Sequence, residues 1–180
     1  MKFCGILLIG SLLVGSSCSA AVVPTRGELS TLAGIPDGTV LVSRNFLESE
    51  NTSPGYWNHT AFKNGNHIVE AQVGRGVIRT SFTEYLSRNY SRILALEPVN
   101  FSVGEKAADV SETLVGLKFN QLSSLPGKDR VRAMQNRGVN CTSVIRYSER
   151  QATGNPLRRM RIPDRMFQYP ELFRSSFTVR

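Results

Sequence analysis

The strongest constraint on the fold is the dipeptide Asn64-Gly65, which separates two candidate strands, 58–63 and 67–72. Asn-Gly is the strongest short-range signal of a β-hairpin, because both residues tolerate the positive φ angles of a tight turn. The sequence therefore predicts two antiparallel strands joined by a two-residue turn.

This hairpin predicts a carboxylate partner for one of the two histidines. With Asn-Gly as the turn, Lys63 pairs with Asn66, and further out His59 pairs with Glu70. Directly opposed side chains share a face with Cβ atoms about 4.5–5.5 Å apart, so Glu70 would hold the imidazole and favour its protonated form. The same register places His67 on the other face without an acidic partner. The alternative for the first pair is a surface ion pair, which contributes little.

The rest of the chain has the pattern of an α+β domain over residues 22–180, with no evident linker. Strand patterns occur at residues 39–44, 77–80 and 91–96, and helix patterns occur at 82–88, at 102–114, from 140 onward and from 162. Ser102 and Glu105 form a capping-box pattern at the start of one helix. Asn140 is a good N-cap for another, which places Cys141 in its first turn.

Residues 1–21 have the three-part layout of a secretory signal: Lys2, an apolar run, and then small residues. The apolar run is shorter than the roughly 20 residues of a membrane-spanning helix. Two processing schemes remain open. One is an ordinary cleavage site at Ser19-Ala20-Ala21, and the other is a degraded lipobox that would make Cys18 the lipidated first residue. Both predict export to the periplasm or cell envelope.

Removal of the leader leaves Cys141 as the one cysteine in the body of the mature chain. It cannot take part in an internal disulfide, so it is either a small buried side chain or a reactive thiol. A thiol at a helix start has a lowered pKa, and the N–H groups there can stabilise an oxyanion. Cys141, His59 and Glu70 are therefore a candidate nucleophile, base and orienting carboxylate.

The sequence around these residues resembles the permuted papain-like hydrolases of the NlpC type, in particular the YiiX-like group. The matching blocks are Trp57-Asn58-His59-Thr60-Ala61, Ile68-Val69-Glu70-Ala71 and Asn140-Cys141-Thr142-Ser143-Val144, supported by Ser43-Arg44-Asn45, Asn51-Thr52-Ser53-Pro54-Gly55, Ala152-Thr153-Gly154 and Ile162-Pro163-Asp164. The likeness covers about residues 38–172. In papain the cysteine precedes the histidine, and the order His, Glu, Cys is typical of a circular permutation. The resemblance implies an antiparallel sheet that carries His59 and Glu70, with Cys141 at the start of a helix packed against it.

The function that this resemblance implies is an exported cysteine hydrolase. It would cleave an amide bond through a thioacyl intermediate on Cys141, in a cell-wall peptide or in an amidated lipid or amino-acid conjugate. One alternative is an acyltransferase or phospholipase related to the lecithin-retinol acyltransferase group, and another is an envelope-binding module without turnover. Tyr56 and Trp57 are candidates either for the wall of a substrate cleft or for the core.

The charge of the chain restricts its partners. The net charge is +8, and arginines are dense between Arg130 and Arg165. For an exported protein this favours an anionic membrane surface or an acidic wall polymer over nucleic acid, the alternative being a soluble basic surface. No Cys/His cluster has metal-ligand spacing and no glycine-rich phosphate loop is present, so no metal or cofactor is expected.

Overall fold

The computed structural model describes residues 22–45, 55–121, 138–155, 157 and 160–180. The predicted leader, with both of its processing schemes at Cys18 and Ser19-Ala20-Ala21, lies outside these residues. So do residues 46–54 and 122–137, which include part of the sequence that carries the family resemblance and part of the arginine-rich stretch. Among the described residues, no helix is both long enough and apolar enough to cross a membrane.

The described residues form an α+β structure, as the sequence predicts. The strands are β1 (Val40–Asn45), β2 (His59–Asn64), β3 (His67–Gln72), β4 (Gly76–Ser81), β5 (Tyr90–Pro98) and β6 (Phe173–Thr178). The helices are α1 (Arg26–Gly34), α2 (Phe82–Leu86), α3 (Phe101–Glu112), α4 (Cys141–Thr153) and a 3-10 helix, Pro163–Gln168. The strands form one open antiparallel sheet in the order β4-β3-β2-β1-β5-β6. Neither α1 nor β6 is among the predicted elements.

The sheet has apolar side chains on both faces, and helices cover each face. On one face, Phe62 and Val69 point towards α3 and α4 and pack with Val144 and Ile145 of α4. On the opposite face, Ala61 and Ile68 pack with Leu32 of α1 and with Tyr85 and Leu86 of α2. Each fully buried side chain of the size of valine to phenylalanine contributes about 1.5–3 kcal/mol to folding.

The central strand β1 has a continuous apolar sequence, because helices cover both faces of the sheet. Val40, Leu41 and Val42 are all fully buried, because alternate residues of β1 meet helices on opposite sides. A strand that is covered on both faces has a continuous apolar run in place of an alternating one.

The hairpin between β2 and β3 exists, but its predicted register is wrong by two residues. Asn64 pairs with His67, and Glu70 lies opposite Ala61. The turn residues are Gly65 and Asn66, and Gly65 has a φ of +54°. A glycine with positive φ at the first central position is typical of a type II′ turn, whereas an Asn-Gly turn of type I′ needs positive φ at both positions.

The error in register preserves the predicted His59–Glu70 pair. A displacement of one residue would move every side chain to the other face, but a displacement of two residues keeps each on its face. His59 and Glu70 are therefore diagonal neighbours on one face of the sheet, not directly opposed residues.

Helices α3 and α4 both begin after an asparagine cap. Asn140 Oδ1 accepts a hydrogen bond from the Ser143 N–H at 2.8 Å, and α4 begins at Cys141 as predicted. The predicted cap of α3, Ser102, is wrong: the cap lies two residues earlier, at Asn100, which accepts from the Val103 N–H at 3.3 Å, and α3 begins at Phe101. Asparagine and serine are equally strong N-caps, so the local sequence does not decide between them.

Candidate functional site

The start of β2 brings an imidazole against a buried carboxylate. His59 is the first residue of β2, and its Nε2 lies 2.8 Å from Oε2 of Glu70 on β3. The His59 side chain is 15% exposed and the Glu70 carboxylate is fully buried. The predicted contact between these two side chains is confirmed, although it is diagonal across the strands.

The Cys141 thiol completes a chain of three side chains. The Cys141 thiol and the His59 imidazole shift each other's pKa, which places the two groups side by side, and Thr60 also lowers the pKa of the thiol. Because Nε2 of the imidazole is already directed at Glu70, its Nδ1 is the atom left for the thiol. The thiol, imidazole and carboxylate come from α4, β2 and β3 respectively.

The contact between thiol and imidazole shifts the pKa of both groups. Burial raises the pKa of Cys141, but the hydrogen bond and positive charge of His59 outweigh burial and bring the pKa down to about 7. Burial lowers the pKa of His59, and its hydrogen bonds to Cys141 and Glu70 raise the pKa to about 10. Between these two values the favoured form is a thiolate beside an imidazolium.

The Glu70 carboxylate has partners that the sequence does not predict. Thr80 Oγ1 donates to Oε1 at 2.5 Å, and the two terminal nitrogens of Arg88 donate to Oε2 and Oε1 at 2.5 and 2.6 Å. Burial raises the pKa of Glu70, but the contacts with His59 and Arg88 lower it to about 2. Glu70 is therefore ionised over the whole range in which Cys141 and His59 titrate.

Two tyrosine rings enclose His59 on the same face. The Tyr90 ring is stacked on the imidazole, with centroids 6.0 Å apart and planes 12° apart, and the Tyr85 ring centroid lies 6.4 Å away. The Tyr85 hydroxyl bonds to the Ser43 hydroxyl, which fixes the ring from β1. These aromatic contacts restrict the rotation of the imidazole and limit the water around it.

Tyr56 and Trp57, the candidate cleft residues, take different positions. Their backbone N–H groups donate to the Asp164 carboxylate at 3.0 and 3.1 Å. Trp57 packs against the core and against Phe167 of the 3-10 helix, with ring centroids 6.1 Å apart. Tyr56 is 43% exposed. Trp57 is therefore half-buried against the core, and Tyr56 lies at the surface three residues before His59.

The prediction that His67 has no acidic partner is wrong. His67 Nε2 lies 2.5 Å from Glu112 Oε1, and Arg79 Nε donates to the other oxygen of Glu112 at 2.6 Å. Glu112 is the last residue of α3, which packs on the face to which His67 points. A hairpin register predicts partners within the hairpin and carries no information about a helix that packs on it.

The described residues contain no cluster of three or more His, Cys, Asp or Glu side chains that could hold a metal ion. The chain has no match among protein-family models, curated proteins or solved structures.

Proposed function

We propose that the chain is a cysteine hydrolase of the permuted papain-like type, with Cys141 as nucleophile, His59 as base and Glu70 as the orienting carboxylate. The observation that supports this most is the His59–Glu70 contact at 2.8 Å with the Cys141 thiol beside the imidazole, three side chains brought together from three separate elements. A thiol beside an imidazole that is itself oriented by a third group is the arrangement that covalent acyl transfer requires. The order of these residues along the chain, His, Glu and then Cys, supports the permuted relationship.

In the proposed acylation step, the Cys141 thiolate attacks the carbonyl carbon of the substrate. A C–S bond forms, and the carbonyl oxygen becomes an oxyanion. The tetrahedral intermediate collapses when the bond to the leaving amine breaks, and His59, which enters as imidazolium, gives its proton to that amine. The thioester that remains on Cys141 is uncharged, and His59 is left neutral.

In the deacylation step, neutral His59 takes a proton from a water molecule that attacks the thioester carbon. The C–S bond then breaks, the product leaves as a carboxylic acid that gives its remaining proton to the solvent, and Cys141 returns to thiolate beside the protonated imidazole. Glu70 stays ionised throughout and holds Nε2, so that Nδ1 faces the sulfur in both steps.

The start of α4 supplies donors for the oxyanion. Asn140 accepts the N–H of Ser143 through its side chain and the N–H of Val144 through its carbonyl. The remaining first-turn donors are the N–H groups of Cys141 and Thr142, at the positive end of the helix dipole. Each preorganised donor of this kind is worth about 10²–10³ in rate.

The pH dependence of thiol alkylation tests the proposal without knowledge of the substrate. We expect iodoacetamide to label Cys141 with half-maximal rate near pH 7, the pKa that His59 imposes, in place of about 8.5 for a free cysteine. His59→Ala should move the midpoint up towards the free value, because it removes the positive partner. His67→Ala is the matched control, since His67 also has a glutamate partner, and should leave the midpoint unchanged. A wild-type thiol that stays unreactive below pH 8.5 would contradict the proposed nucleophile.

The proposed substrate is an amide in a cell-wall peptide or in an amidated lipid or amino-acid conjugate. The second candidate, an acyltransferase or phospholipase, is favoured by one observation: Tyr56 and Phe167 are 43% and 44% exposed beside the segment that leads into His59, as an acyl chain would require. Purified muropeptides and anionic phospholipid vesicles separate the two. New peptide fragments support the amidase, and released fatty acid or transferred acyl groups support the second candidate. Binding of either substrate without turnover by the wild type would support a binding module.

Export belongs to the same proposal. The net charge of +8 suits an anionic membrane surface or an acidic wall polymer. The mass of the mature N-terminus separates the two processing schemes: cleavage after Ala21 gives a chain that begins at Val22, and the lipobox gives a diacylated Cys18.

A further inference from the structure

Arg88 contacts the Glu70 carboxylate edge to edge. Its two terminal nitrogens reach the two carboxylate oxygens at 2.5 and 2.6 Å, and one of these oxygens is the Oε2 that also meets His59. Paired hydrogen bonds of this kind between arginine and a carboxylate fix the plane of the carboxylate as well as its charge. The Arg88 side chain is 18% exposed and Glu70 is fully buried, so water does little to screen the pair.

Arg88 also contacts the ring that covers the imidazole. The terminal nitrogen of Arg88 that donates to Glu70 Oε2 also donates to the Tyr90 hydroxyl at 3.2 Å, and the Tyr90 ring is stacked on His59. The backbone holds this arrangement, because the Tyr90 N–H donates to the Arg88 carbonyl at 2.7 Å. Arg88 therefore touches both groups that orient His59, although it does not contact the thiol itself.

The elements packed around the His59–Glu70 pair place titratable or hydroxyl groups beside it. The titratable and hydroxyl groups that face it are Ser43 of β1, Thr80 of β4, Tyr85 of α2, Tyr90 of β5, Cys141 of α4 and Arg88, which in turn lies 3.8 Å from Glu84 of α2. Arg88 is the fixed cation in this set. Removal of a positive charge raises the pKa of every acid and base near it. Without Arg88, the imidazolium of His59 would therefore lose its proton at a higher pH.

The two halves of the proposed reaction need opposite states of His59. Acylation starts from an imidazolium that donates a proton, and a high pKa serves this step. Deacylation starts from an uncharged thioester, and His59 must then be neutral to accept the proton of water. A buried carboxylate with no compensating cation would hold a proton on the imidazole and delay the second half.

We infer that Arg88 is a positioning residue that neutralises Glu70 and so keeps His59 free to act as a base in deacylation. This inference rests on the proposed function, since it concerns the second half of that reaction. One proton of the water moves to His59, the product departs as a carboxylic acid that ionises in the solvent, and Arg88 stays charged throughout.

The test uses 4-nitrophenyl acetate, an activated ester that acetylates thiols. The release of 4-nitrophenolate reports acylation, and the loss of the acetyl group from Cys141, followed by intact-protein mass spectrometry, reports deacylation. Both are measured from pH 5 to 10 for wild type, Arg88→Gln, Arg88→Lys and Arg174→Gln, after circular dichroism has established that each variant is folded. Arg174 pairs with Glu97 on an exposed edge, which makes it a matched control for the loss of an Arg–Glu pair.

We expect the acid limb of the deacylation profile to move up by about one pH unit or more in Arg88→Gln, because a cation next to the pair has been removed. Arg88→Lys should move it in the same direction by less, since the charge is kept at a greater distance and the paired contact is lost. Arg174→Gln should match the wild type.

A folded Arg88→Gln or Arg88→Lys variant that deacylates more slowly with an unmoved limb would overturn the inference, because a purely structural role lowers the rate without changing the titration. If Arg88→Gln does not fold, the direction in which the acid limb of the deacylation profile moves in Arg88→Lys still tests the role of Arg88. A wild-type protein that forms no acetyl-Cys141 would contradict the proposed function itself. A wild type that turns over normally, with variants that keep its limb, would contradict the role of Arg88 alone.

Discussion

The two histidines show how little a carboxylate partner by itself defines a site. His59 contacts Glu70 and His67 contacts Glu112, and an arginine also holds each glutamate. The burial differs: the Glu70 side chain is fully buried, whereas that of Glu112 is 19% exposed. The chemistry differs because the Cys141 thiol lies at His59. His67 and Glu112 therefore serve as matched controls for substitutions of His59 and Glu70.

A first prediction at this scale concerns the charge of Glu70. Glu70→Gln keeps the shape of the side chain and removes the negative charge that helps to raise the pKa of His59 to about 10. The pKa of His59 should fall and the alkylation midpoint of Cys141 should rise above its value near pH 7. The change also leaves Arg88 without its buried partner, which typically costs about 3–5 kcal/mol of unfolding free energy.

Alkylation profiles and urea unfolding measure both effects. Glu112→Gln is the matched control, because it removes the carboxylate partner of the other histidine. It should cost less stability than Glu70→Gln, and it should leave the thiol midpoint in place. Equal alkylation midpoints in the Glu70→Gln variant and the wild type would mean that the Glu70 carboxylate has no electrostatic effect on the pKa of Cys141.

At the scale of the elements, the first turn of α4 carries the nucleophile and depends on its cap. Asn140→Ala removes the acceptor for the Ser143 N–H, and loss of an asparagine cap costs about 0.5–2 kcal/mol. Because the first turn holds Cys141, its fraying should weaken the contact with His59 and raise the alkylation midpoint. Asn100→Ala removes the cap of α3 and is the matched control. The two variants should lose similar stability in urea unfolding, with a shifted thiol midpoint in Asn140→Ala alone.

The elements that the sequence predicts correctly are those set by local patterns. The hairpin, the strands β1, β4 and β5 and the start of α4 all follow from periodicity, turn residues or an asparagine cap. The hairpin register is wrong because Asn64-Gly65 and Gly65-Asn66 are both acceptable turns, and the choice depends on pairing with the neighbouring strands. A local signal for α1 exists in the capping box of Thr25 and Glu28, but it lies outside the periodicity on which the prediction rests.

The missing parts of the site are those set by long-range packing. Thr80 reaches Glu70 because β4 pairs with β3, and Arg88 reaches it because the turn after α2 crosses that face of the sheet. Strand β6 pairs with β5 across a separation of about 80 residues, for which no local pattern exists. The sequence therefore predicts the thiol, the imidazole and the carboxylate, but not the arginine that fixes the charge of the carboxylate.

At the scale of the whole molecule, the site joins the two layers that cover the sheet. Glu70 lies on the same face as Ala61 and Ile68, which α1 and α2 cover. Cys141 belongs to α4, which packs on the opposite face. His59 is the first residue of β2, and the thiol and the imidazole meet at that end of the strand. The geometry of the site therefore depends on the packing of both layers.

The stability of the whole molecule should fall as the pH rises, because of Glu149 in α4. Glu149 is 2% exposed, its Oε1 has no hydrogen-bond partner among the described residues, and burial raises its pKa to about 8. Since the folded-state pKa lies above the unfolded value near 4.5, the folded protein holds more protons than the unfolded chain between these values. The contribution of this group is fully present below about pH 4.5 and is lost as the pH rises towards 8. Each pKa unit is worth about 1.4 kcal/mol, so the loss amounts to a few kcal/mol.

Glu149→Gln isolates this contribution, because glutamine fills the same space and cannot ionise. Urea unfolding at pH 5 and pH 9 should give similar stabilities for wild type and variant at pH 5, and a more stable variant at pH 9. Glu105→Gln, at an exposed position of α3, should follow the wild type at both values. If wild type and Glu149→Gln lose the same free energy between pH 5 and 9, Glu149 is not the group that limits stability. Because α4 carries both Glu149 and Cys141, the pH range in which the thiolate forms is also the range in which its helix becomes less stable.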